Sequence, residues 1–215
     1  TGISSALLGI DGRPADGRLS GLLADSVVVT IAPRTGAATP VAKLATTLPT
    51  GVRFSVDFNP TVDRLRIISS DGATAINLAA NLGDGSVVAG APPAYPASPN
   101  AFGGVTPSVI AAAYTNNVAG PKGTLLFDID DATDAIYLQQ PPAAGTLTNV
   151  GAQLGIPLGQ IGFDILTQRN GSNLAVLING TRLYFPRLLA GTAGPGRQVT
   201  GLRGAVRDLA VLPNH

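Results

Sequence analysis

Aspartate and asparagine side chains recur at the ends of short apolar runs along this sequence. Such runs carry or precede the carboxylates of Asp11, Asp57, Asp164 and Asp208 and the amides of Asn59, Asn116 and Asn117. If the runs surround a common axis, these oxygens would ring one mouth of a channel and could bind a hard cation such as Ca²⁺. Alternatively, each Asp or Asn accepts a hydrogen bond from its own turn, as expected over residues 57–60.

The runs recur at an interval that fits one blade of a β-propeller. When Asp11, Asp57, Tyr114, Asp164 and Asp208 are taken as equivalent, successive positions lie 46, 57, 50 and 44 residues apart. A four-stranded blade takes roughly 40 to 50 residues. Within each interval, short runs rich in Val, Ile and Thr are separated by turns containing Gly, Pro and Asp. This pattern favours strands over helices.

We therefore predict an all-β, β-propeller-like fold with four four-stranded blades plus a fifth incomplete blade. The chain would form a single propeller-like domain over residues 1–215, with blades at about 6–46, 52–90, 107–150 and 160–200 and a lone last strand at 204–212. The composition agrees, because all 13 acidic residues are Asp and Met is absent. Strong helix formers are therefore scarce.

The lone last strand needs a partner. It comprises Gly204, Ala205, Val206, Arg207, Asp208, Leu209, Ala210, Val211 and Leu212. An unpaired strand edge exposes a row of backbone donors and acceptors that readily pairs with another strand. We expect the partner to be either the N-terminal residues Thr1–Ser5 or a neighbouring subunit, and these nine residues are candidates for self-association.

Several longer stretches resemble a known bacterial family. They are DFNPTVDRLR at 57–66, AAYTNN at 112–117, LFDID at 126–130, LQQPP at 138–142, GTL at 145–147 and GFDI at 162–165. In this order they resemble the family called domain of unknown function 4394 over nearly the whole chain. The resemblance implies a secreted, propeller-like protein with no assigned activity. It also implies an additional N-terminal stretch, similar to the middle strands of a blade, that this sequence lacks, which puts ordinary ring closure in question.

Two further charged stretches allow a chemical and a structural interpretation. The acidic stretch 128–134 superficially resembles a calcium loop, but it lacks the central Gly and closing Glu of an EF-hand, which favours a solvated hairpin tip. Asp63, Arg64 and Arg66 could bind an anion. The alternation of polar and apolar residues over 64–67 instead favours a strand with an exposed polar face.

The sequence holds few of the residues that most catalytic sites use. The only histidine is His215, the last residue, and Cys is absent. Both features argue against a Ser-His-Asp triad, a cysteine nucleophile and a His/Cys zinc site. We expect no cofactor, with calcium as a possible exception.

Charge and hydropathy limit the classes of partner that the protein could bind and the place where it could act. The net charge of +1 argues against nucleic-acid binding, and no stretch reaches the roughly 20 apolar residues of a membrane span. The sequence begins with Thr1 rather than Met, which we interpret as removal of an export signal. The prediction is a secreted protein, extracellular or at the cell surface.

Three functional hypotheses follow. The first is a secreted, non-enzymatic structural building block that self-associates into an extracellular assembly or filament, its partners being copies of itself or the extracellular matrix. The second is an extracellular module that binds a cation or a glycan at the channel mouth. The third is a calcium-dependent propeller hydrolase, in which only Asp could act as the general base because the sequence has no Glu and no internal His.

Overall fold

The computed structural model describes residues 2–70, 74–96, 105–204 and 206–212. Within them the chain forms sixteen β-strands and a short 3-10 helix at Pro142–Ala144. The strands are β1 Leu7–Arg13, β2 Arg18–Leu23, β3 Val27–Ile31, β4 Ala38–Lys43, β5 Ser55–Asn59, β6 Arg64–Ser69, β7 Ile76–Ala80, β8 Val87–Ala89, β9 Val109–Tyr114, β10 Leu126–Asp130, β11 Ala135–Gln139, β12 Leu147–Gln153, β13 Ile161–Thr167, β14 Asn173–Asn179, β15 Arg182–Tyr184 and β16 Arg197–Gln198.

Consecutive strands pair into four antiparallel sheets of four strands each. Blade 1 is β1–β4, blade 2 is β5–β8, blade 3 is β9–β12 and blade 4 is β13–β16. Neighbouring blades meet along their first strands, since β1 lies against β5, β5 against β9 and β9 against β13. The prediction of an all-β propeller with four four-stranded blades is confirmed. No helix in the described part of the chain is long and apolar enough to cross a membrane.

Apolar side chains on alternating strand positions pack each blade against the next. Between blades 1 and 2 the core includes Leu22, Phe58 and Ile67, and between blades 3 and 4 it includes Phe127 and Phe163. Successive side chains of a strand point to opposite faces of the sheet. A blade with a neighbouring blade on each side therefore buries apolar side chains on both of its faces. This explains continuous buried runs such as β9, in which all six residues are buried.

The predicted strand at 204–212 is not formed in the described residues. Residues 206–212, which we call the C-terminal segment, have no assigned strand, and Ala205 lies outside the described residues. The segment contacts β1 at Gly9 and Gly12, and it contacts β13 at Gly162. No backbone–backbone hydrogen bond among the described residues involves it. The prediction was wrong because an apolar sequence pattern does not show whether a neighbouring strand is present to form backbone hydrogen bonds.

Of the predicted N-terminal partner residues Thr1–Ser5, Thr1 lies outside the described residues, and residues 2–5 do not pair with the C-terminal segment. The hydroxyls of Ser4 and Ser5 donate to the carboxylate of Asp25 at 2.7 and 2.8 Å. Asp25 lies in the turn between β2 and β3, and Gly2 lies beside Ala38 of β4. Residues 2–5 therefore line blade 1, and the edge of the C-terminal segment has no partner from them.

Candidate functional site

Three carboxylates from three different blades meet at the propeller axis. Asp11 lies on β1, Asp57 on β5 and Asp164 on β13. One oxygen of each lies within 4.8 Å of one oxygen of each of the others, and every one of the three residues is at most 2% exposed. The structure thus brings together three of the four aspartates that the sequence repeat made equivalent.

Each of these carboxylates joins its own strand to the next inner element. Asp11 accepts from the backbone N–H of Phe58 on β5 at 2.7 Å, and Asp57 accepts from that of Tyr114 on β9 at 3.1 Å. Asp164 accepts from the backbone N–H of Val211 at 2.6 Å. These bonds cross between elements, so the carboxylates fix the angular positions of the inner elements around the axis.

Asp208 continues this ring from the C-terminal segment. Its Oδ2 accepts from the backbone N–H of Ile10 on β1 at 2.8 Å, and its Oδ1 accepts from that of Leu209 at 2.9 Å. The segment is therefore tied to blade 1 through Asp208 and to blade 4 through Val211. Around the axis it occupies the place between β13 and β1.

Burial changes the protonation of these four groups. Desolvation raises the pKa of Asp11 and Asp57 well above the usual range, and the neighbouring carboxylates raise it further. Desolvation also raises the pKa of Asp164 to about 6 and that of Asp208 to about 7, although backbone N–H donors oppose both shifts. A cluster of this kind must either take up protons or bind a cation.

Among the described residues, backbone N–H groups donate the hydrogen bonds to these four carboxylates, and no Lys or Arg side chain does. The hydrogen bonds to the four carboxylates all come from main-chain N–H groups, including those of Gly12 and Ile165. Asp57 uses only Oδ1 in these bonds. Oxygen ligands converging from separate strands are the donor set that Ca²⁺ takes in proteins, so the residues present fit a hard cation.

None of the three predicted amides forms a hydrogen bond with the four carboxylates in the described residues. Asn59 accepts from the backbone N–H of Thr61 at 3.0 Å, so the local-turn alternative holds for this residue. Asn116 adopts a left-handed φ of 55° and donates to the backbone oxygen of Gly123. The Oδ1 of Asn117 is buried without a hydrogen-bond partner in the described residues. Asn59 is the last residue of β5, and Asn116 and Asn117 follow the end of β9.

A second buried polar group lies between blades 2 and 3, where the sequence predicted exposed residues. Arg66 is only 7% exposed and donates to the hydroxyl of Tyr114 at 3.1 Å and to Oδ1 of Asn77 at 2.7 Å. Asp128 and Asp130 are fully buried. The prediction of an exposed polar face on β6 is therefore wrong at Arg66, because the adjacent blade covers it. The predicted hairpin tip is present at residues 131–134, which form the partly exposed turn between β10 and β11, but Asp128 and Asp130 belong to β10 and are buried.

Within that group, Asp128 has the least usual environment. Neither of its carboxylate oxygens has a hydrogen-bond partner in the described part of the chain. Burial raises the pKa of Asp128 well above the usual range, Asp130 adds to the rise, and Arg66 opposes it.

The C-terminal segment lies beside two partly exposed apolar sheet faces. Blade 1 presents Leu7, Leu19 and Ile31 on the face opposite blade 2, and Leu7 is 40% exposed. Blade 4 presents a corresponding row, made of the half-buried residues Leu174, Val176 and Leu183, on the face opposite blade 3. We call the space between these two faces, on the side of residues 206–212 that points away from the propeller axis, the open sector. The described residues place no strand there.

Comparisons with known proteins agree with this fold and identify the family. No match was found among the curated proteins. The chain is similar to the crystal structure of a protein of unknown function from Bacteroides caccae, with a TM-score of 0.50 and 11% identity over 94% of this chain. The match covers 64% of that protein, so the chain spans less than two thirds of its length, and the likeness concerns the fold alone. Residues 1–210 match the family described as Domain of unknown function (DUF4394), which confirms the resemblance seen in the sequence, and the chain belongs to that family.

Proposed function

We propose that the protein is a secreted, non-enzymatic structural building block that self-associates into an extracellular assembly or filament. Its partners are other copies of the chain or the extracellular matrix around them. One observation carries this proposal. The C-terminal segment occupies the position of an innermost strand, yet no backbone–backbone hydrogen bond among the described residues involves it. Two of its backbone N–H groups, those of Leu209 and Val211, donate instead to the carboxylates of Asp208 and Asp164.

The open sector supports the same function. An exposed backbone edge flanked by apolar sheet faces is a surface that β-proteins normally cover. Leu7 on one side and Val176 on the other leave the sector apolar on both walls. Association with another chain at the open sector removes apolar surface from water. It also allows the backbone edge of residues 206–212 to form hydrogen bonds with a strand of the other chain.

Sedimentation velocity over a wide range of concentrations, with electron microscopy of the most concentrated sample, tests the proposal. We expect a shift from monomer to larger species as concentration rises. Leu7→Asp should weaken the shift, because it places a charge on the wall of the open sector. Val62→Asp is the matched control, since Val62 is 56% exposed in the turn between β5 and β6. Monomer alone at every concentration would overturn the proposal.

The axial carboxylates favour a second candidate, an extracellular cation-binding module. The observation behind it is the approach of Asp11, Asp57 and Asp164 within 4.8 Å at a buried position. Isothermal titration calorimetry with Ca²⁺ at neutral pH should then show binding that Asp57→Asn weakens and Asp16→Asn, in an exposed turn, leaves unchanged. Absence of heat with the wild-type chain would eliminate this candidate.

A further inference from the structure

The C-terminal segment seats in a groove whose fit depends on three glycines. A Cβ atom at Gly162 would lie 2.4 Å from the backbone nitrogen of Leu209, and one at Gly9 would lie 3.2 Å from Oδ2 of Asp208. A Cβ at Gly12 would lie 2.9 Å from Cδ2 of Leu212. The groove between β1 and β13 is therefore shaped for residues 206–212 and admits them at van der Waals contact.

Few specific bonds hold the segment in this groove. Its polar anchors to the blades are the bond between Asp208 and the N–H of Ile10 and the bond between Val211 N–H and Asp164. No backbone–backbone hydrogen bond of the described residues ties it to either blade. The segment can therefore leave its groove without opening any of the four sheets.

The residues that connect blade 4 to the C-terminal segment also allow the segment to leave its groove. Residues 200–204 are exposed, and none of them takes part in a hydrogen bond within the described chain. The last backbone anchor before them is the N–H of Val199, which donates to the carbonyl of Thr181 at 2.8 Å. From Val199 to Val206 a fully extended connection spans at most about 25 Å, which sets how far the segment can move away from blade 4.

From these observations, and resting on the proposed self-association, we infer that the C-terminal segment is exchanged between copies. Residues 206–212 of one copy occupy the groove between β1 and β13 of the next. The contacts are those already seen within one chain, because the second copy presents the same glycines, the same Ile10 N–H and the same Asp164. Such exchange is head-to-tail, and if successive copies do not close into a ring it produces an open fibre.

Single-cysteine variants test the exchange directly, because the natural chain has no cysteine. Full-length Gly12→Cys and Leu212→Cys proteins are mixed at the concentration at which the wild type assembles and treated with a short bismaleimide. Neither variant alone can link within a chain. We expect a covalent dimer in the mixture, with a yield several-fold above that of Gly123→Cys mixed with Leu212→Cys. Gly123 is exposed, and a Cβ there meets nothing within 4 Å.

Thr39→Cys replaces Gly12→Cys if the latter disturbs the fold, since Thr39 is exposed and lines the same surface depression as Leu212. Equal yields for the test and control mixtures would overturn the exchange. Sedimentation of the same samples separates the two claims. Assembly without specific linkage rejects exchange and leaves self-association intact, whereas specific linkage in dimers that never grow further rejects the extended assembly and keeps exchange.

Discussion

The carboxylate of Asp208 accepts the backbone N–H of Ile10 at 2.8 Å, although the two residues lie 198 positions apart in the chain. The bond joins the last inner element of the propeller to the first. Asp164, which accepts the N–H of Val211 at 2.6 Å, makes the preceding link. Within the described residues, ring closure therefore rests on carboxylate-to-backbone hydrogen bonds rather than on a strand ladder.

Removal of the Asp208 carboxylate should loosen that closure. Asp208→Ala leaves the N–H of Ile10 without its acceptor, and we expect a loss of about 1 to 3 kcal/mol in the free energy of unfolding. Asp208→Asn keeps an oxygen and should cost less. Hydrogen exchange at the Ile10 amide, followed by NMR, should be faster in the Ala variant. An unchanged exchange rate would show that the bond is not formed in solution.

A side chain at Gly162 should expel the C-terminal segment. The new Cβ would lie 2.4 to 2.8 Å from backbone atoms of Asp208 and Leu209, and backbone cannot yield as a flexible side chain does. We expect trypsin to cut after Arg207 faster in Gly162→Ala than in the wild type, as measured by mass spectrometry. Gly123→Ala serves as the control, because a methyl group there contacts nothing. Identical cleavage rates in both variants would contradict this description of the groove.

The axial carboxylates should make stability depend on pH. The folded-state pKa is about 6 for Asp164 and about 7 for Asp208, above the value of about 3.9 for an unfolded aspartate. The folded protein thus binds more protons between these values, and the contribution to the free energy of unfolding is lost as pH rises from about 4 to 7.

Urea denaturation at several pH values checks this sign. Asp208→Asn removes one titrating group, so the wild type should lose stability relative to this variant as pH rises from 4 to 8. Asp16→Asn, in the exposed turn between β1 and β2, should follow the wild type throughout. A difference between wild type and Asp208→Asn that does not vary with pH would contradict the raised pKa.

Asp128→Asn should stabilise the protein at high pH. The carboxylate is fully buried, both oxygens lack partners in the described residues, and its pKa is raised. Ionisation above that pKa buries an uncompensated charge, which Asn avoids at nearly the same volume. We expect similar stability at pH 4 and an advantage of about 1 to 3 kcal/mol for Asn at pH 8. A less stable variant at pH 8 would mean that Arg66 holds the carboxylate ionised.

The propeller could be predicted from sequence because each blade repeats the same local signals. Apolar runs and turns containing Gly and Asp are local features, and their spacing placed Asp11, Asp57 and Asp164 at equivalent positions on inner strands. Equivalent inward-facing positions on the innermost strands of a propeller lie around its axis, so the proximity of these carboxylates could be predicted from the sequence. Their role as cation ligands remains a prediction.

Other features depend on neighbours that no local pattern reveals. Asn59 ends a strand, where the side chain turns back on its own loop rather than towards the axis. Arg66 and Asp128 are polar residues whose burial is imposed by the facing blade. The alternation over 64–67 therefore predicts a surface position for Arg66, and the acidic stretch 128–134 predicts a solvated hairpin tip. The C-terminal segment has the apolar character of a strand, but a strand also needs a hydrogen-bonded partner, and the described chain supplies none.

A cryo-EM map of the assembled protein tests the central claim most directly. The account predicts a multi-subunit particle in which the backbone edge of residues 206–212 or the walls of the open sector are covered by a second copy of the chain. A particle whose subunits touch elsewhere, with both the segment and the sector facing solvent, would contradict it.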